Sequence, residues 1–109
     1  MSAHSMSSLT KSDCFIEGHW VPTEKRFNVT NPATGEVLAE VADADDELTQ
    51  RAINVAETAL AKWRKKTARE RAVLLRKWYQ SMMDNKQALG ELMSAEQGKP
   101  VPEAVGEVE

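Results

Sequence analysis

Between Asp43 and Pro100 the chain carries a full set of helix start and stop signals, so its middle and end can only be a run of helices. Asp43, Asp45, Asp46 and Glu47 place four carboxylates in five positions, which suits the positive, amino-terminal end of a helix dipole. From there Leu48, Ala52, Val55, Ala56, Ala59 and Trp63 recur at spacings of three and four, which predicts one apolar face on a helix over about 46–62. Thr67 followed by Glu70 is a capping box, in which the hydroxyl takes a first-turn amide and the carboxylate reaches back to the Thr67 amide. A second helix is expected from Ala68, with the Arg71 stem, Leu74, Leu75, Trp78 and Met82 on its apolar side. Trp63 and Trp78 are expected to close one shared core. A third helix over about 86–97 follows Asp84-Asn85 and stops at Gly98, with Pro100 barring its continuation. Pro102 then opens a fourth helical pattern, Val101, Val105 and Val108 on one side, reaching Glu109 after about two turns. So short a helix is not stable alone, and it is expected either to pack on the rest of the segment or to belong to a longer element.

Upstream the period changes from helical to strand-like. Cys14-Phe15-Ile16 and His19-Trp20-Val21 flank Glu17-Gly18, a two-residue hairpin signal because Gly accepts positive φ without a Cβ clash. Asn would be usual where Glu17 stands. A second hairpin is expected from Phe27–Thr30 and 36–41, turning at Asn31-Pro32-Ala33-Thr34-Gly35, with Val37, Ala39 and Val41 on one face and Leu38 and Glu40 on the other. Residues 1–12, Ser-rich, read as a disordered leader without the apolar stretch of a secretory signal.

At 109 residues there is room for one small domain. Apolar runs reach four residues at most, far below the ~20 that cross a bilayer, so the expectation is no membrane partner and a cytoplasmic location. Cys14 is the single cysteine, which rules out an internal disulfide and a thiolate-rich metal site. It reads as a small strand residue, with no His or helix start near it in sequence to lower its pKa. His4 and His19 have no Cys or acid at ligand spacing. The five glycines form neither Gly-x-Gly-x-x-Gly nor a phosphate loop. From Lys62 to Lys77 there are eight basic residues and one acid, Glu70. The acidic flanks and the lack of free aromatics for base stacking argue for a solvated face or a subunit contact, with no nucleic acid as partner.

Glu96 is the most interesting ionisable group. With Leu89, Leu92 and Met93 it occupies i, i+3, i+4 and i+7 of the third helix, which puts a carboxylate on an apolar face near the helix end, where neither burial nor the dipole favours it. A partner is expected, either an arginine such as Arg71 or Arg76 or a bound cation.

Taken in order, Gly18-His19-Trp20-Val21, Asn31-Pro32-Ala33-Thr34-Gly35-Glu36, Thr67-Ala68-Arg69-Glu70-Arg71-Ala72 with Trp78-Tyr79, and Glu96-Gln97-Gly98-Lys99-Pro100 resemble the amino-terminal part of an NAD(P)-dependent aldehyde dehydrogenase, nearest the succinate-semialdehyde branch. The resemblance runs from Phe15 to Glu109. It implies an α+β segment of an α/β, Rossmann-type enzyme: two β-hairpins, three α-helices and the start of a fourth, with 13–109 the amino-terminal part of the cofactor-binding domain. It implies that the parent oxidises an aldehyde, succinic semialdehyde in the nearest branch, through a cysteine thiohemiacetal, passes hydride to NAD(P)+ and hydrolyses the thioester. The nucleophile, general base, oxyanion asparagine and ribose-binding residues would all follow Glu109, so no catalytic or cofactor-binding residue is assigned and the 109 residues alone are expected to be inactive. The resemblance also implies a structural Na+ or K+ held by Glu96 and main-chain oxygens of Val29 and Thr30, oxygen ligands that suit such an ion. The partners implied are the remainder of the dehydrogenase chain and further copies in a homo-oligomer. A stand-alone α+β scaffold or interaction domain is the other reading.

Overall fold

Glu17 and Gly18 both stand at positive φ, 53° and 77°, the pairing that a two-residue hairpin turn of matching twist requires. In this computed structural model, which describes residues 9–109, the turn joins β1 (Cys14–Ile16) to antiparallel β2 (His19–Val21), with Phe15 opposite Trp20. Those two rings meet at 4.9 Å between centroids, a cross-strand aromatic pair. Ile16 faces the other way and is buried. Residues 1–8 of the expected leader lie outside the described residues.

The second hairpin pairs β3 (Arg26–Thr30) with antiparallel β4 (Val37–Ala42). Register runs Phe27 to Val41, Asn28 to Glu40 and Val29 to Ala39, then slips so that Thr30 meets Val37. Leu38 is therefore an extra residue, a β-bulge, and the strict alternation expected along 37–41 breaks there. The bulge turns Val37 outward, 49% exposed, while Leu38 and Ala39 are both half-buried. The connecting turn is tied from within: Gly35 N–H donates to the Asn31 carbonyl at 2.7 Å, Asn31 N–H to the Glu36 carbonyl at 2.8 Å, and Ala33 N–H to Asn31 Oδ1 at 2.8 Å. Arg26 links the hairpins, its Nη2 donating to Asp13 Oδ1 at 2.9 Å and to the Ser12 carbonyl at 3.0 Å.

Four helices follow, α1 (Asp46–Trp63), α2 (Ala68–Asp84), α3 (Lys86–Gln97) and α4 (Val101–Val108). Asp45 caps α1 by accepting from Leu48 N–H at 2.8 Å. At the head of α2 both halves of the capping box form, Glu70 N–H to Thr67 Oγ1 and Thr67 N–H to Glu70 Oε1, each 3.1 Å. Asn85 separates α2 from α3 and spends its side chain on α2, its Nδ2 donating to the Ser81 carbonyl at 2.8 Å, so α3 starts without a side-chain cap. Gly98, at φ 82°, ends α3. The fourth helix starts one residue before Pro102, which sits in its first turn.

The shared core expected between Trp63 and Trp78 is absent. Trp63 is half-buried, Trp78 is 66% exposed, and neither α1 nor α2 contains a buried residue. Burial centres on α3 and α4, the most closely packed helix pair, where Ala104 is fully enclosed and Gly90 is buried. A Cβ on Gly90 would stand 2.4 Å from Val105 Cγ2 and 2.9 Å from its amide nitrogen, so the two backbones approach as only glycine permits. The radius of gyration is 16.6 Å, against about 13 Å for a closed domain of this length. Its accessible surface is 8240 Å², whereas a self-contained 12.1 kDa protein exposes about 6,000 Å². The helix faces are shaped for burial that this segment does not itself provide.

Candidate cation site and its surroundings

Two of the quoted motifs meet in space. Gly98 lies against the ring of Pro32: a Cβ at position 98 would be 3.0 Å from Pro32 Cγ. The Asn31–Gly35 turn thus packs on the left-handed turn ending α3. Val29 and Thr30 are the last residues of β3, immediately before Asn31, and Glu96 is in the last turn of α3, two residues before Gly98. The chain therefore brings the end of β3 and the end of α3 to one neighbourhood through the Pro32–Gly98 contact. Val29 is half-buried, while Thr30 and Glu96 are exposed.

The burial expected for Glu96 is not found. The stripe by which α3 packs on α4 runs through Gly90, and Glu96, six residues on, falls roughly 120° around the helix from it. Nor does Glu96 form the ion pair with Arg71 or Arg76. The ion pairs among the described residues are Arg26 with Asp13, Lys86 with Glu109 and Lys99 with Glu107. The carboxylate of Glu96 thus has no ion-pair partner among the described residues. No cluster of three His, Cys, Asp or Glu side chains suited to a metal occurs among the described residues, so a cation here would depend on main-chain oxygens. Sequence reasoning did not single out the Gly90–Val105 approach that sets how α4 leaves this region; a glycine inside a helix was the available signal.

Glu70 is held below the usual carboxylate range, chiefly by the hydrogen bond from the Thr67 amide and then that from its hydroxyl. Asp43, Asp45 and Glu47 line an open cleft with Lys25 and Arg51, and the Asp45 carboxylate already serves as the α1 cap. Cys14 is a half-buried free thiol in β1, and His19 is exposed on β2; His4 lies outside the described residues. Arg64, Lys65 and Lys66 are exposed in the turn between α1 and α2. No helix of the described residues is long and apolar enough to cross a membrane.

Against known proteins, residues 20–109 match the model of the aldehyde dehydrogenase family. The chain is 46% identical over 103 residues to a 3-sulfolactaldehyde dehydrogenase of Pseudomonas putida, covering 93% of this chain and 21% of that one. It is 41% identical over 102 residues to the human mitochondrial succinate-semialdehyde dehydrogenase, covering 94% and 19%. A crystal structure of an NADP-dependent enzyme from E. coli superposes with a TM-score of 0.90 at 41% identity, covering 94% of this chain and 22% of that one. The chain spans about a fifth of the length of these relatives.

Proposed function

Because the chain belongs to the aldehyde dehydrogenase family, we propose that it is the amino-terminal segment of an enzyme that oxidises an aldehyde to the carboxylic acid with NAD(P)+. The observation that carries this reading is agreement over nearly the whole segment at once in sequence and in fold, 46% identity to one relative and a TM-score of 0.90 to another. Residues 13–109 then form the first part of the cofactor-binding domain, with the rest of the polypeptide and further copies of it as partners, in the cytoplasm.

The aldehyde proposed is succinic semialdehyde. The two named relatives act, by their names, on succinate semialdehyde and on 3-sulfolactaldehyde, both short aldehydes with an anionic group, which favours a substrate of that class. The segment itself supplies structure and no chemistry: the nucleophile and the water-activating base are assigned to the remainder, and the 109 residues alone turn over nothing. When bound, the dinucleotide accepts the hydride; the part of this segment is structural support for the elements that follow. Glu96, with the main-chain oxygens of Val29 and Thr30, is proposed to hold a structural Na+ or K+ that fixes the end of α3 against the Asn31–Gly35 turn.

The test is steady-state oxidation of succinic semialdehyde and 3-sulfolactaldehyde by the full polypeptide, with NAD+ and NADP+ in separate assays. Reduction of either cofactor by the full polypeptide and none by the 109-residue segment is the expected pattern. Turnover by the purified segment alone would falsify it. For the ion, Glu96→Gln in the full polypeptide should lower the thermal midpoint in NaCl or KCl and leave it unchanged in tetramethylammonium chloride; equal midpoints for the two proteins in all three salts would remove the cation.

A further inference from the structure

Helix α2 carries an apolar surface out of proportion to what it packs against. At 3.6 residues per turn, Leu74, Trp78, Met82, Leu75 and Tyr79 fall within an arc of about 140°, the kind of broad apolar stripe by which a helix faces a core. Leu74 is 43%, Leu75 51%, Tyr79 48% and Trp78 66% exposed. Among the described elements its one substantial packing partner is α3, and the half-buried Met82 and Met83 put that contact at its carboxy-terminal end.

We infer that this arc is the principal docking surface by which the segment seats on the remainder of its own polypeptide, with Trp78 as the anchor. The inference rests on the reading of the chain as part of a longer dehydrogenase. Two observations favour the same polypeptide over a second copy. The surplus of exposed surface over a self-contained protein of this mass is about 2,000 Å², well beyond the ~800 Å² that one partner contributes to a standard protein–protein interface. The relatives are about five times as long as the stretch matched, enough chain to cover it. Aromatic anchors in desolvated pockets dominate such contacts, and Trp78 is the most exposed of the large apolar side chains among the described residues.

Hydroxyl-radical footprinting of the unsubstituted full polypeptide, read by peptide mass spectrometry, tests this without a variant that could misfold. A side chain that goes from 66% exposed to the few per cent of a core residue loses about ten-fold in reactive surface. The expected result is Trp78 oxidised about ten times more slowly in the native polypeptide than in the same chain in urea, at a rate independent of protein concentration. Oxidation at the unfolded rate overturns the inference, and so does protection that appears only as concentration rises, which assigns the face to a second copy. Aldehyde oxidation is read on the same sample. Turnover with an unprotected Trp78 sinks the docking surface and leaves the enzyme reading standing, whereas protection without turnover on any tested aldehyde does the reverse.

Discussion

Replacing Gly90 by alanine sets two effects of opposite sign against each other. Alanine is better than glycine inside a helix by about 1 kcal/mol. Its Cβ, however, would sit 2.4 Å from Val105 Cγ2, 2.9 Å from Val105 N and 3.0 Å from Val105 Cα. A valine side chain in a helix has one strongly preferred rotamer, and the two backbone atoms cannot rotate away. Restoring ordinary 3.5–4.0 Å contacts requires α4 to move outward by about 1–1.6 Å, lifting the fully enclosed Ala104 with it. Overpacking of this kind costs about 1–3 kcal/mol, so Gly90→Ala should destabilise the α3–α4 pair by about 1 kcal/mol net, roughly five-fold in its opening equilibrium. Gly106 supplies the control, since nothing lies within 4 Å of a Cβ built there. Gly106→Ala keeps only the propensity gain and should stabilise by roughly 0.5–1 kcal/mol. Amide exchange of 104–108, read by mass spectrometry in the full polypeptide, should therefore speed up for Gly90→Ala and slow down for Gly106→Ala. Slower exchange in both would show that the close approach at Gly90 does not constrain α4.

Removing the α2 cap with Thr67→Ala should cost about 1 kcal/mol, seen as faster exchange confined to the first turn of α2. The partner carboxylate gives a pH signature. Glu70 titrates below its unfolded value because of the Thr67 hydrogen bonds, so its contribution is present above the unfolded pKa and is lost as pH falls through the folded one. First-turn protection in α2 should fall as the solution is acidified through the low carboxylate range, and Glu70→Gln should flatten that dependence; an unchanged profile would remove the carboxylate from the cap. At the first hairpin Glu17 holds φ 53°, so Glu17→Asn should stabilise it by about 0.5–1 kcal/mol, measured as slower exchange in β1 and β2. A loss of protection there would mean that the Glu17 side chain contributes more than its backbone costs.

What could be read from the sequence was local chemistry. The Glu17-Gly18 turn, the Thr67–Glu70 box and the Gly98 stop each depend on a few adjacent residues, and each places an element boundary where the structure has it. Periodicity found the apolar faces of α1 and α2 but could not say what covers them; it paired Trp63 with Trp78, whereas the structure leaves Trp78 in the open. Leu38 shows a second limit: a bulge depends on the partner strand, so counting alternate residues along 37–41 missed the slip at Thr30 and Val37. For Glu96 the apolar spacing was real and the burial was not, because the contact stripe of α3 is set by Gly90, a residue without a side chain.

The Pro32–Gly98 contact joins positions 98 − 32 = 66 residues apart. Closing a flexible loop of that length costs about 4 kcal/mol in chain entropy, more than a single van der Waals contact of this kind returns. The hairpins and the α3–α4 pair should accordingly form first, each from near neighbours, and the seam between them should close last during folding. The same seam should be the first to open in the native protein, so that the two ends of the segment exchange their amides as separate units until the remaining chain clamps them together.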